Sequence, residues 1–282
     1  MRCAWDAYIK LLPIWMRDPV DRMGRDSLQE LRLRIGVPPE LITESGSLWL
    51  SRTVSRDDLN FCMNAASQYS PWASETLSLG YITAQGGHRI GICGVFTWSG
   101  RQAYGIREIT SLCLRVARDF TDLTKDFTDH NTSVLIIGKP GSGKTTLLRD
   151  FIRQRSNQAG QCVCVVDEKG EVFPSIGAEF CFPAGNRTDV LTGYGKTEGI
   201  EMVLRNMCPD TIAVDEITAH TDCEALLHAG WCGVRLLATA HAESRKDLFM
   251  RPVYRPIIES KLFDTLIVLR RDKTWRMERM NG

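Results

Sequence analysis

This 282-residue chain has almost no net charge, and it lacks long apolar runs and a metal-type cysteine pattern. Its 35 basic and 34 acidic residues leave a formal charge of +1, which provides no overall field to attract nucleic acid or an anionic membrane. The longest apolar stretch, residues 90–98, is far shorter than the roughly 20 residues that span a bilayer. We therefore expect no nucleic-acid partner and no direct membrane insertion.

The ten cysteines include no C-x-x-C pair, the spacing typical of zinc or redox sites. Cys162 and Cys164 lie two apart in an apparent strand, where a disulfide between them would be strained. Dispersed thiols are typical of a reducing cytosol. The first residues do not resemble a signal peptide, since Asp6, Lys10 and Pro13 interrupt any apolar core. The sequence therefore predicts a cytoplasmic protein.

The most informative stretch that is present is V-L-I-I-G-K-P-G-S-G-K-T-T, residues 134–146. It contains G-x-x-x-x-G-K-[ST], the phosphate-binding loop, between an apolar strand and an amphipathic helix. This context favours nucleotide binding over a glycine-rich turn that matches by chance. The residues predicted to hold the nucleotide are Gly138, Lys139, Pro140, Gly141, Ser142, Gly143, Lys144, Thr145 and Thr146.

Two residues of this loop and two acids predict ATP hydrolysis with Mg²⁺. Lys144 is expected to reach the β- and γ-phosphates, and the Thr145 hydroxyl is expected to bind Mg²⁺. The apolar stretch T-I-A-V-D-E, residues 211–216, ends in Asp215 and Glu216. Asp215 is the second predicted Mg²⁺ partner, and Glu216 is predicted to orient or deprotonate the attacking water. The alternative for the two acids is a salt bridge at the end of a strand.

Four further residues are candidates for catalysis. Glu168, next to Asp167 at another strand end, is predicted either to act on the water or the metal's outer shell, or to be a solvated carboxylate. His241 follows A-T-A at a strand end and is a candidate γ-phosphate contact, although a lone histidine is more often structural. Arg187 and Arg205 are candidates for neutralising transition-state charge, as arginine fingers from a neighbouring subunit do.

The alternation of strands and helices after residue 133 predicts an α/β domain with a mainly parallel sheet. In such sheets the chemistry lies beyond the carboxyl ends of the strands, where all of these acids fall. Arg149, on the helix after the phosphate loop, is predicted to be a surface residue. The predicted strands are residues 134–137, 161–166, 211–214, 236–239 and 265–269, with a returning strand at 275–280.

The first 120 residues have a different pattern, which predicts a smaller α+β domain. Residues 121–132 are polar and predict a linker, so the second domain covers residues 133–282. The elements predicted for the first domain are helices at residues 1–17, broken near Pro13, and 56–70, and strands at 28–35, 41–43, 48–50, 80–83, 88–94 and 111–116.

Three stretches of the second half resemble the secretion and pilus motor ATPases, a branch of the RecA-like/AAA+ group. They are G-V-R-L-L-A-T-A-H (233–241), similar to the histidine box, V-V-D-E-K-G-E-V-F (165–173), similar to the acidic box, and the segment 204–216 before and through the second nucleotide motif. The resemblance implies a RecA-like P-loop domain and a functional His241. The chain departs from the motors at Asp215, where glycine is common, and at Thr218, where arginine is common.

A second resemblance covers nearly the whole chain and concerns the stage III sporulation AA family. It rests on L-R-L-R-I-G-V-P-P-E (31–40), G-Y-I-T-A-Q-G-G-H-R-I-G-I-C-G (80–94) and L-R-N-M-C-P-D-T-I-A-V-D-E-I (204–217), among others. It implies a mother-cell cytosolic ATPase of endospore formers that works as a homo-oligomeric ring, a hexamer. The ring would attach peripherally to membrane channel proteins of the same sporulation operon.

Two other functions fit the same residues. One is a nucleic-acid-translocating P-loop ATPase, which single-stranded DNA or RNA would stimulate. The other is a nucleotide-dependent assembly scaffold, in which binding matters and turnover does not. The near-neutral charge argues against the first, and the intact Glu216 argues against the second.

Overall fold

The computed structural model describes residues 1–67, 77, 80–99, 102–157, 161–270 and 272–280. The chain divides into two compact units. The first contains Met1–Asp119 and Pro174–Phe182, and the second contains Phe120–Phe173 and Pro183–Gly282. Among the helices of the described residues, none combines the length and the apolar composition that a membrane crossing needs.

The first unit combines helices with a six-stranded antiparallel sheet of order β3-β2-β1-β6-β5-β4. Its helices are α1 (Trp5–Lys10), α2 (Ile14–Ser27) and α3 (Arg56–Ser67), with a short 3₁₀ turn at Gln85–Gly87. Its strands are β1 (Leu28–Arg34), β2 (Glu40–Thr43), β3 (Gly46–Trp49), β4 (Tyr81–Ala84), β5 (His88–Ser99) and β6 (Gln102–Arg115).

Local pattern explains most of these elements. Strand β1 alternates buried Leu31 and Leu33 with half-buried arginines, as predicted. Pro13 separates α1 from α2, as expected, because a proline lacks the N–H that a helix interior needs. Strands β5 and β6 run well beyond the predicted 88–94 and 111–116, because each supplies the other's backbone partners along the whole hairpin. Residues 68–70 of the predicted helix 56–70 lie outside the described residues.

The second unit contains a seven-stranded sheet of order β11-β8-β12-β13-β7-β14-β15, parallel except for β15. The predicted α/β domain with a mainly parallel sheet is thereby confirmed. In chain order the remaining strands are β7 (Val134–Gly138), β8 (Val163–Asp167), β9 (Ser175–Ile176), β10 (Glu179–Phe180), β11 (Thr188–Thr192), β12 (Thr211–Ile217), β13 (Arg235–Ala240), β14 (Thr265–Leu269) and β15 (Trp275–Arg279). The remaining helices are α4 (Lys144–Asn157), α5 (Lys196–Asn206), α6 (His220–Trp231), α7 (Arg245–Met250) and α8 (Arg255–Glu259).

Strand β7 lies inside this sheet, between β13 and β14, and every one of its residues is buried. Strands β8 and β14 are equally buried, which explains why all three strands consist mostly of apolar residues. Strand β11 was not predicted, because it is a half-exposed edge strand with the unremarkable sequence T-D-V-L-T. Strands β9 and β10 pair only with each other and belong to the first unit.

The polar segment 121–132, predicted as a linker, packs within the second unit. Thr124 and Phe127 are buried. The buried Asp150 carboxylate of α4 accepts hydrogen bonds from the backbone N–H groups of Asp122 (3.0 Å) and Thr124 (2.8 Å), and from the Thr124 hydroxyl (2.8 Å). This segment is therefore anchored to α4.

The prediction that Arg149 is a surface residue is wrong. Its side chain is buried, and it donates to the backbone carbonyls of Val172 and Glu171. Other parts of the second unit cover helix α4 on several sides, so even its polar side, which carries Arg149, is buried. A buried guanidinium needs such acceptors, because an unpaired buried charge is strongly unfavourable.

Candidate nucleotide-binding site

The phosphate loop connects the end of β7 to the start of α4 through tightly constrained glycines. Gly141 and Gly143 have φ values of +74° and +102°, which a residue with a side chain rarely adopts. A Cβ atom on Gly138 would lie 2.5 Å from the Ser142 hydroxyl oxygen and 2.9 Å from the Leu269 carbonyl oxygen. These positions therefore require glycine in this conformation.

The loop presents polar groups to an anion. Lys144 is 7% exposed, and its ammonium donates to the Lys139 carbonyl (3.2 Å) and to His241 Nδ1 (3.0 Å). Burial lowers the pKa of Lys144, while Asp215 and Glu216 oppose that shift. The buried Ser142 hydroxyl oxygen has no hydrogen-bond partner among the described residues. Together with the positive end of the 14-residue helix α4, these groups suit a phosphate chain.

Thr145 and Asp215 meet at the carboxyl end of β12. The Thr145 hydroxyl donates to Asp215 Oδ2 at 2.6 Å, and the Thr239 hydroxyl donates to Asp215 Oδ1 at 2.5 Å. Hydroxyl and carboxylate oxygens beside a phosphate site are the donor set that Mg²⁺ prefers. The two residues predicted to hold Mg²⁺ thus lie in direct contact and fit that ion.

Glu216 is turned into the site by a β-bulge. The register between β12 and β13 shifts between Val214 and Ile217, and Glu216 has a φ of +57°. Its backbone N–H donates to the Thr239 hydroxyl oxygen at 2.8 Å. A left-handed conformation at a non-glycine residue is strained and is found mostly where a functional side chain must be aimed.

The Glu216 carboxylate has two partners, one on each oxygen. Oε1 is hydrogen-bonded to His241 Nε2, and Oε2 pairs with Lys169 Nζ at 3.2 Å. Because Lys144 can only donate, His241 accepts at Nδ1 and donates at Nε2 to Glu216. Burial alone would raise the pKa of Glu216, but the hydrogen bonds from His241 and Lys169 outweigh it and lower that pKa below its usual value.

His241 is also held through its backbone. Its N–H donates to the Tyr254 hydroxyl oxygen at 3.2 Å, and that hydroxyl donates to the Ile217 carbonyl at 3.3 Å. The imidazole therefore forms a fixed link from Lys144 to Glu216, and the predicted function of this histidine stays a prediction.

Glu168 and Asp167 differ in their surroundings. Glu168 lies in the same cleft as Asp215 and Glu216, and pairs with the buried Lys196 at 2.7 Å. Asp167 is buried, and its oxygens accept the backbone N–H groups of residues 171, 172 and 173 at 2.9 to 3.0 Å. Burial raises the pKa of Asp167 to about 6, against the effect of those hydrogen bonds. Both acids line the cleft, but Asp167 is buried and holds a turn, whereas Glu168 pairs with Lys196.

Arg187 and Arg205 do not reach this chain's own phosphate loop. Arg187 is exposed just before β11, at the amino edge of the parallel sheet, opposite the edge that carries the site. Arg205 is exposed in the last turn of α5 and pairs with Glu201 at 3.2 Å. Their predicted role as fingers for a neighbouring subunit stays a prediction.

Three contributors to the site were missed from the sequence: Thr239, Lys169 and Tyr254. The first had a usable signal, because it is the hydroxyl in A-T-A-H at the end of a predicted strand. The other two had none, since their partners lie far away along the chain.

The sheet order and the position of the site define the RecA-like α/β fold of secretion and pilus motor ATPases. The structure is similar to that of the Legionella pneumophila ATPase DotB, with a TM-score of 0.61 and 18% identity over 95% of this chain and 80% of that chain. It is also similar to the pilus retraction motor PilT with bound ADP, with a TM-score of 0.58 and 16% identity over 89% and 76% of the two chains. At sequence identities this low, the comparisons show that the folds are alike and nothing more.

The family is shown by sequence. The family model for sporulation stage III, protein AA matches residues 10–279. The chain is 34% identical over 277 residues to stage III sporulation protein AA of Bacillus subtilis (strain 168), which covers 94% of this chain and 90% of the relative. The chain therefore belongs to the sporulation stage III protein AA family, and both the predicted family and the predicted fold class are confirmed.

Proposed function

We propose that this chain is a ring-forming ATPase that hydrolyses ATP to power or assemble a secretion-like channel complex during endospore formation. The observation that carries the proposal is the continuous contact network from the phosphate loop to the acidic strand end, Lys144–His241–Glu216 beside Thr145–Asp215. A mere salt bridge at a strand end would not need this connection to the loop lysine.

ATP binds with its phosphates on the loop. Lys144 and the loop N–H groups hold the β- and γ-phosphates, and the unpartnered Ser142 hydroxyl donates to a phosphate oxygen. Thr145 and Asp215, which lie in direct contact, would hold Mg²⁺, and the ion would supply charge neutralisation at the β- and γ-phosphates.

Hydrolysis relies on Glu216. Its carboxylate orients a water molecule and accepts its proton as the water oxygen attacks the γ-phosphorus. The bond from that phosphorus to the bridging oxygen breaks, which leaves ADP and inorganic phosphate. His241 holds the Glu216 carboxylate and the phosphate-binding Lys144 in fixed positions relative to each other. Glu168, in the same cleft, acts on the water or on the outer shell of the metal.

Arg187 and Arg205 serve the site of a neighbouring subunit in a hexamer. Such a contribution requires a head-to-tail ring in which each junction holds one ATP. Residues 1–120 act as the regulatory or ring-contact domain. The ring lies in the mother-cell cytoplasm and attaches through membrane channel proteins of the same sporulation operon, a proposal that the sporulation family and the motor fold support.

The test is ATP hydrolysis and ATP binding by the wild type, Lys144→Ala and Glu216→Gln, with Lys246→Ala as a matched control at an exposed lysine. Lys144→Ala should lose binding and turnover. Glu216→Gln should bind ATP but lose turnover about 100-fold or more, and Lys246→Ala should match the wild type. Light scattering should show an ATP-promoted oligomer.

Two additions to this experiment, single-stranded nucleic acid in the hydrolysis assay and a test of biological function, separate the two other functions. Turnover that single-stranded DNA or RNA raises several-fold would favour the nucleic-acid translocase. A Glu216→Gln variant that binds ATP and retains full biological function would favour the scaffold.

A further inference from the structure

The turn between β14 and β15 lies against the phosphate loop. Leu269, the last residue of β14, is in close contact with it. A Cβ atom on Gly138 would lie 2.9 Å from the Leu269 carbonyl oxygen, and one on Gly143 would lie 3.8 Å from its side chain. Lys273 follows in the turn, and its ammonium donates to the Gly141 carbonyl oxygen at 2.8 Å. A lysine that is distant in the chain therefore reaches the middle of the loop.

The backbone of this turn fixes the direction from which Lys273 approaches. Lys273 has a φ of +67°, and its N–H donates to the Arg270 carbonyl oxygen at 3.2 Å. Asp272 Oδ1 accepts from the backbone N–H of Thr274 at 3.0 Å and from its hydroxyl at 2.6 Å. A left-handed conformation at a lysine is unfavourable and persists where surrounding contacts impose it. The contact with the loop is thus part of a defined turn.

The positive charge of Lys273 has no acidic partner. Lys139, which belongs to the loop itself, pairs with Glu243 at 2.7 Å. Among the residues that the structure describes, by contrast, no carboxylate forms an ion pair with Lys273. A cation beside a loop of backbone N–H groups attracts an anion. Lys273 therefore adds positive charge to a loop that already suits phosphates.

Lys273 and the acidic strand end lie on opposite sides of the loop. Strand β7, which leads into the loop, lies between β13 and β14. Glu216 and His241 belong to the β12 and β13 side, where His241 contacts Lys144. Lys273 arrives from the β14 side. Because the bond to the γ-phosphate breaks near Glu216, the phosphates that remain on the nucleoside extend towards Lys273.

We propose that Lys273 is a nucleotide-binding residue, whose ammonium holds the β14 side of the phosphate loop and attracts the phosphates that ATP and ADP share. This inference rests on the proposed ATPase function and adds a binding residue to the same site. The contact is the same before and after the γ-phosphate leaves, so it stabilises the bound substrate and the transition state equally. Its loss should weaken binding without slowing the turnover of bound ATP.

The experiment measures Kd for ATP and for ADP, and KM and kcat for ATP, with the full chain of the wild type, Lys273→Met, Lys273→Arg and Lys261→Met. Lys261 is a matched control, because it is an exposed lysine with a φ of +53° near the other end of β14. Lys273→Met should weaken ATP and ADP binding by the same factor, about tenfold, the scale of a hydrogen bond to a charged group. Its KM should rise and its kcat should not fall. Lys273→Arg and Lys261→Met should bind both nucleotides as the wild type does.

The outcomes separate this inference from the ATPase function. Unchanged affinities in Lys273→Met overturn the inference, as does a loss that is confined to ATP or that Lys261→Met shares. Binding by Lys273→Arg as weak as that by Lys273→Met also overturns it, because the charge would then not matter. The proposed function survives each of these results if the wild type hydrolyses ATP and Glu216→Gln does not. A wild type that binds neither nucleotide overturns both.

Discussion

Thr239 is a single hydroxyl that organises both acids of the candidate site. It accepts the Glu216 backbone N–H at 2.8 Å and donates to Asp215 Oδ1 at 2.5 Å. It therefore supports the left-handed backbone of one acid and the orientation of the other. Valine at this position would keep the methyl group and remove the hydroxyl, so the hydroxyl can be tested by itself.

Thr239→Val should lower kcat roughly 10-fold or more, because a hydrogen bond to a charged group is worth about 1.5–3 kcal/mol. Valine has the shape of threonine, so the fold should persist. Thr239→Ser keeps the hydroxyl and should retain most of the activity. Steady-state ATP hydrolysis measures the effect, and equal rates in the valine and serine variants would contradict it.

His88, in the first unit, is a buried histidine outside the site. Its Nδ1 accepts the Ala117 N–H at 3.0 Å, so Nε2 donates to the Ala4 carbonyl at 2.9 Å. Protonation would put a hydrogen on Nδ1 facing the Ala117 N–H. Burial lowers the pKa of His88 below 6.5.

A lowered pKa of a folded histidine gives stability that is fully present above pH 6.5 and lost as the pH falls, because the unfolded chain takes up the proton first. Between pH 7.5 and 5.5, the wild type should lose unfolding free energy relative to His88→Gln, because glutamine does not titrate. Urea unfolding at both pH values measures this. Parallel losses in the two proteins would count against the prediction.

At the scale of elements, helix α4 connects the phosphate loop to the polar segment 121–132 of the second unit. Asp150 on α4 is fully buried and accepts from the backbone of Asp122 and Thr124, as well as from Arg153 at 3.1 Å. The helix that begins with Lys144 is therefore tied to this segment through a buried carboxylate.

Asp150→Ala should lower the unfolding free energy by about 3–5 kcal/mol, since it removes the buried carboxylate that neutralises Arg153 and accepts from two backbone N–H groups. Asp126→Ala, at an exposed acid of the same segment, should change it by about 0.5 kcal/mol or less. Urea unfolding of both variants measures the difference. Equal stabilities would show that the segment is not anchored through Asp150.

At the scale of the whole molecule, the exposed Arg187 and Arg205 belong to the proposed ring. If either completes a neighbour's site, its alanine variant should bind ATP normally but lose turnover about 10-fold or more. Mixing Arg205→Ala with Lys144→Ala subunits should then restore part of the activity, because some junctions pair an intact loop with an intact arginine. The same mixture is made with Arg187→Ala. If neither mixture recovers activity, neither arginine completes the site of a neighbouring subunit.

Much of the fold could be predicted because its signals are local. The phosphate loop is one continuous stretch, and the buried strands β7, β12 and β14 are apolar runs that end in or beside polar residues. The acids 215 and 216 could be placed near the loop because parallel strands share a carboxyl edge. Residue contacts across that edge could not be predicted, as Lys169 and Tyr254 illustrate, because their partners lie far away along the chain.

The sequence by itself determined the phosphate loop, the parallel sheet and the family, because each depends on residues close together in the chain or on their periodicity. Only the tertiary structure decided that Arg149 is buried, that Asp167 caps a turn, and that Glu216 is held between His241 and Lys169. The physical reason is that burial and pairing depend on which elements pack together, and packing joins residues that the chain keeps far apart.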